Sequence, residues 1–167
     1  MLFLAILIRV LFMKTVMTSR RVVLLSLAIA CLLSTQSFAQ WSPIAPGRLI
    51  NPEDLVKILK SGNEKPVILQ VGSHTLFLQA HIPGSEYVGA AASDAGLQQL
   101  RKRVESLPRN KFIVLYCGCC PWSHCPNVKP ADEALHTMGF TNVKVLYISD
   151  NFGTNWVDKG YPTAKGE

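Results

Sequence analysis

A five-residue apolar run, Phe-Ile-Val-Leu-Tyr at 112–116, ends directly on the first of four cysteines packed into nine positions: Cys117, Cys119, Cys120 and Cys125. A short run of branched and aromatic residues with no polar alternation reads as a strand buried on both faces. Its neighbours agree. Pro66 to Val71 and Val143 to Ile148 are similar short runs, and Tyr87-Val88 is a shorter one after a turn at His81-Ile82-Pro83-Gly84-Ser85. Between the runs lie helical patterns. Asn51-Pro52-Glu53-Asp54 opens a helix with an N-cap, a proline at the first position and acids in the first turn. Leu55, Val56 and Leu59 give it one apolar face, and Gly62 closes it. Leu97, Leu100, Val104 and Leu107 predict a helix over 94–106. Ala131, Ala134, Leu135 and Met138 predict another, with Gly139 at its C′ position. Asn155 to Lys159 reads as a short terminal helix. Strands alternating with helices imply an α/β fold with a parallel sheet covered on both sides. Active sites in such sheets lie beyond the C-terminal ends of the strands, where the cysteine cluster begins.

The N-terminus is read apart from the fold. Arg20-Arg21, the apolar run Val22 to Leu33 and Ser37-Phe38-Ala39 have the order of a signal peptide cleaved after Ala39. Met13 and Met17 are both plausible starts, and residues 1–16 read as an over-extended beginning. An uncleaved anchor using 2–13 and 22–33 is the alternative, and Cys31 loosely resembles a lipoprotein site. Residues 40–49 form a lead-in and 50–165 a single domain, and the location expected is periplasmic or secreted. The +6 net charge comes mostly from this leader. Without residues 1–39 it falls to +2, which supplies no dense basic patch for nucleic acid. No membrane contact is expected after signal removal. A mature chain of this size buries a core without staples. Cysteines serving as a disulfide framework are spread along the chain, so clustered ones read as a site.

Several ordered landmarks resemble the rhodanese family. These are Asn51-Pro52-Glu53-Asp54-Leu55, His81-Ile82-Pro83-Gly84-Ser85, Val114-Leu115-Tyr116-Cys117, Gly139-Phe140 with Asn142-Val143, and Trp156 with Gly160-Tyr161-Pro162. The resemblance implies a five-stranded parallel sheet flanked by helices on both faces. It implies that Cys117 is a nucleophile carrying a persulfide, with amides of the following loop around its outer sulfur. A small sulfur donor or thiol acceptor would be its partner, with a periplasmic protein as a further candidate. The chain departs from the family's pattern in three ways. Gln70 and Gly72 stand where Asp and Arg are usual. The loop is long and holds no Arg or Lys between Cys117 and Val128. Counting back from Gly139 by the family's spacing lands near 123–125, so Cys125 competes with Cys117 for the cradle position. Ser123 stands six residues after Cys117, where a phosphatase of related fold needs Arg to clamp phosphate, so phosphatase activity is not expected.

The cluster admits four chemistries. Cys117 can carry sulfur, with Cys119, Cys120 or Cys125 resolving the persulfide. Cys117 and Cys120 have the spacing of a dithiol–disulfide exchange pair. A thiolate set, all four cysteines or Cys117, Cys120, His124 and Cys125, suits Zn, Cu(I) or an iron–sulfur cluster. The adjacency of Cys119 and Cys120 counts against that reading, and no cofactor is expected. The fourth chemistry is a pair of disulfides pinning the loop. An inactive scaffold that binds metal or a protein is the non-enzymatic alternative. His81 reads as a structural turn residue, Trp122 as cavity wall or core, His124 as solvent-facing, and Lys129 as a surface cation near the loop.

Overall fold

The computed structural model describes residues 44–61 and 65–166. The leader over 1–39 with Met13, Met17 and Cys31, the lead-in up to residue 43, and Gly62 lie outside those residues. Five parallel strands form one sheet: β1 (Leu49–Ile50), β2 (Val67–Gln70), β3 (Glu86–Tyr87), β4 (Ile113–Tyr116) and β5 (Val143–Leu146). Helices α1 (Pro52–Lys60), α2 (His74–Gln79), α3 (Asp94–Val104) and α4 (Val128–Thr137) fill the four crossovers, and a π turn (Gly153–Val157) follows the last strand.

The two faces of β4 divide the core. Ile113, Leu115 and Cys117 pack with Leu100 and Val104 of α3 and Val128, Ala131 and Leu135 of α4. Val114 and Tyr116 pack with Leu55 and Val56 of α1 and with Phe152 and Trp156. All four residues of β4 are buried, which is why its sequence lacks polar alternation. Trp156 is completely buried, and its indole N–H donates to Pro162 O at 2.8 Å.

The spatial order is β1-β5-β4-β2-β3. From β2 the chain moves outward to β3, whereas from β4 it moves the opposite way to β5. The switch point therefore falls between β2 and β4, which run in register from Val67 beside Ile113 to Gln70 beside Tyr116. Open α/β sheets bind ligands outside the strand ends at such a point. Here those ends deliver Val71-Gly72 and Cys117.

Some expected boundaries move. The lead-in contains a 3-10 turn (Pro46–Arg48) and the edge strand β1 rather than loose chain. The third strand begins one residue early, at Glu86, and α3 stops at Val104. The fourth helix, whose start the apolar markers left open, begins at Val128. The terminal element is a π turn over Gly153–Val157, earlier than the expected 155–159, because the Asp158 N–H reaches back five residues to Gly153 O at 2.9 Å. Helix α2 had no sequence reading. It begins at the Ser73 cap, whose hydroxyl accepts from Leu76 N–H at 3.4 Å.

Candidate functional site

Cys117 is the first residue beyond β4, and its sulfur settles over the backbone of Gly72 at the end of β2. A Cβ at position 72 would lie 2.5 Å from Cys117 Sγ, so this close approach requires glycine. Gln70 braces the same corner from within the core. Its Nε2 donates to Cys117 O at 3.3 Å and to Ser73 O at 3.4 Å, and its Oε1 accepts from Gly72 N–H at 3.1 Å. The two departures from the expected Asp and Arg thus hold the cysteine-bearing strand end. Gly118 then turns the chain at φ +76°, where a Cβ would come within 2.7 Å of Phe152 Cβ.

The loop folds back so that its sulfurs converge. Cys117 Sγ lies 3.1 Å from Cys119 Sγ, and Cys119 Sγ lies 3.5 Å from Cys120 Sγ. Cys120 donates to His124 O at 3.7 Å. All four described cysteines are free thiols, and none of the alternative loop disulfides is present among them. Cys117 and Cys125 are 4% and 6% exposed, and Cys119 and Cys120 are half-buried.

Asn127 ties the loop to the next crossover. Its Oδ1 accepts from Ala92 N–H at 2.9 Å while its Nδ2 points at Cys117 Sγ (3.4 Å) and Cys119 Sγ (3.9 Å). Sequence reasoning missed it. The signal was present, an Asn immediately before Val128 and two residues before the helix's Lys129-Pro130 first turn. Because this side chain is spent elsewhere, it does not cap α4.

The first amides of α4 serve Cys125 instead. Its thiol is lowered to about 6, chiefly by a proton shared from Cys117 and further by the N–H groups of Asn127 and Val128. Cys117 moves the opposite way, upward, because it donates to Cys125 and because it is buried; only the Cys119 N–H opposes this. The two shifts are opposite halves of one coupled pair, Cys125 lowered and Cys117 raised. Burial first, and then the hydrogen bond with Cys119, push Cys120 up to about 12. Both candidates for the cradle position thus have amides, one at Cys117 and two at Cys125.

A cavity of about 410 Å³ opens on this corner. Cys117, Gly118 and Cys119 line it together with Leu76 and Gln79 of α2 and with Phe152 and Val157. Among the described residues, Cys120, Cys125 and charged side chains do not line it. Tyr116 at its edge hydrogen-bonds Ser85 Oγ at 2.9 Å, and burial raises its phenol to about 12.

The remaining sequence-predicted residues lie apart. The His81 ring donates from Nδ1 to Phe77 O at 2.9 Å and stacks on Phe77. Trp122 packs edge-on against Tyr147 and is half-buried against the core. Lys129 turns to Glu133. The exposed His124 pairs with Ser123 Oγ at 2.8 Å. The sulfurs that lie mutually within 4.8 Å belong to Cys117, Cys119 and Cys120. This trio differs from both alternative metal sets, the four cysteines and Cys117, Cys120, Cys125 with His124.

The profile of the rhodanese-like domain matches residues 51–148. Among solved structures, the BH2092 protein from Bacillus halodurans is 20% identical with a TM-score of 0.55, covering 70% of this chain and 76% of that one. The rhodanese-like domain of the Alr3790 protein from Anabaena sp. is 20% identical with a TM-score of 0.52, over 71% of this chain and 79% of that one. A thiosulfate sulfurtransferase from Pseudomonas aeruginosa is 25% identical with a TM-score of 0.53, over 76% of this chain and 22% of that larger protein. No curated protein matches the chain.

Proposed function

The chain belongs to the rhodanese-like domain family, and from that premise we propose that it is an exported sulfurtransferase-type protein carrying sulfane sulfur as a persulfide on Cys117. The observation behind this reading is positional. Among the described residues, Cys117 is the one cysteine that stands at the end of a buried parallel strand, at the sheet's switch point, and in the lining of a cavity. Cys119 also lines that cavity but lies in the loop.

Loading begins when Cys117 gives up its proton, with Cys125, the lowered member of the pair, as the neighbouring acceptor. The Cys117 thiolate attacks the outer sulfur of a persulfide donor, R–S–SH. A new S–S bond forms on Cys117 and RS⁻ departs; from thiosulfate the leaving group would be sulfite. The Cys119 N–H and Asn127 Nδ2 already point at the Cys117 sulfur, so charge that develops there meets donors held in place. A cavity with no charged lining favours an organic persulfide of low charge over a dianion such as thiosulfate.

Discharge goes to a small thiol acceptor or a periplasmic protein thiol. A second route is favoured by the 3.1 Å separation of Cys117 and Cys119. The Cys119 thiolate attacks the inner sulfur of the persulfide, closing a Cys117–Cys119 disulfide and expelling HS⁻. Thiol–disulfide exchange is thereby a half-reaction of the same cycle, through Cys119 rather than Cys120.

The test is intact mass after incubation with an organic persulfide or thiosulfate. Wild type gains one reducible sulfur atom, faster from the organic donor, and Cys117→Ser gains none. Undiminished loading of Cys117→Ser would overturn the assignment.

A further inference from the structure

We infer that Cys117, Cys119 and Cys120 form a three-sulfur site for a soft monovalent cation, Cu(I), in addition to any sulfur-carrying role of Cys117. Three observations support it. Their sulfurs all lie within 4.8 Å of one another. Three thiolates around one ion at the metal–sulfur length of about 2.3 Å stand roughly 4 Å apart, so this spacing needs only small adjustments to close on a metal. The glycine between Cys117 and Cys119, at φ +76°, turns the loop so that sulfurs two residues apart face each other, and Cys120 joins from the next position.

The chemistry of the set selects the ion. Soft thiolates favour Cu(I), zinc and iron–sulfur clusters. Structural zinc and the common clusters need four protein ligands. The nearest imidazole, His124, is exposed and bonded to Ser123. Cys125 is held by the α4 amides and lies outside the trio. Three sulfurs with an approach through the cavity fit a trigonal soft cation. Asn127 supplies the outer contact, its Nδ2 reaching two of the three sulfurs. Binding replaces three S–H protons by one Cu(I), with no change in oxidation state, so three protons leave per ion. Copper would occupy the sulfur that loads persulfide, so the two occupants exclude each other.

The experiment uses the full, reduced chain under argon, titrated with Cu(I) against a chromophoric Cu(I) chelator, with X-ray absorption of the loaded protein. Expected are one copper per chain, three sulfur neighbours, and suppressed sulfur loading on Cys117. Cys119→Ser and Cys120→Ser each lower affinity at least tenfold, while His124→Ala leaves it unchanged. Thermal midpoints of the variants separate ligand loss from unfolding. Failure to compete with the chelator, four sulfur neighbours, full affinity in folded Cys119→Ser or Cys120→Ser, or stronger retention of Zn(II) than of Cu(I) would each overturn the inference.

Discussion

A thiol in a buried, uncharged corner resists ionisation, and Cys117 is raised accordingly. The neighbouring Cys125 moves the other way, lowered first by its hydrogen bond with Cys117 and then by the amides at the start of α4. Wild-type protein is expected to show a thiolate titrating near pH 6 by ultraviolet absorbance, a transition that Cys125→Ser removes together with most sulfur loading at neutral pH. The sign for stability follows. Cys125 is depressed from the usual 9.0, so its contribution is full above about 9 and is lost as pH falls through about 6. Cys117 at the strand tip was legible because strand end and thiol chemistry coincide in sequence. The opposite shifts of Cys117 and Cys125 were not, because they depend on which sulfur the α4 amides reach. Gln70 and Gly72 were legible only as departures; their bracing of Cys117 is a contact across 45 or more residues.

Helix α4 begins without a side-chain cap, since Asn127 reaches outward to Ala92 and the thiols. Asn127→Ala removes the acceptor of the Ala92 N–H, a part-buried hydrogen bond, and the amide on two sulfurs. The expected cost is about 1–3 kcal/mol in denaturant unfolding, with slower sulfur loading that Asn127→Gln does not fully restore. At this scale the long elements were readable from periodicity. The second helix was not, because six residues are too few to display a helical repeat and its start rests on the single hydroxyl of Ser73. Strand β1 was missed for a similar reason: two residues carry no pattern, and Leu49–Ile50 is a strand only because β5 lies beside it.

In the molecule as a whole, the edge of the sheet is fastened to α4 by charge. Arg48, just before β1, lies 3.0 Å from the buried Asp132, and His136 approaches the other carboxylate oxygen at 3.3 Å. Burial raises Asp132 despite these two partners. Neither oxygen has a well-aligned hydrogen bond, so the attachment depends on attraction alone. Arg48→Met leaves the carboxylate buried without its principal cation, and a loss of about 1–3 kcal/mol is expected from chemical denaturation at neutral pH. The alternation of strands and helices was readable along the described residues, apart from β1 and α2. This attachment was not, since nothing in the sequence pairs positions 48 and 132.

The C-terminal segment comes back to the turn at the front of the sheet. His81 and Ala164 exchange both backbone hydrogen bonds, at 3.0 and 2.9 Å, and Gly166 N–H adds one to Leu78 O. The family match stops at residue 148, yet Asn151, Phe152, Gly153 and Val157 all border the cavity. A fragment trimmed to the matched span would keep four of the five strands, losing the edge strand β1, and would also lose one side of the vessel in which Cys117 sits. It would also unbuckle the tail that steadies the opposite side. In this chain, the unit that forms a sheet is smaller than the unit that can enclose a substrate.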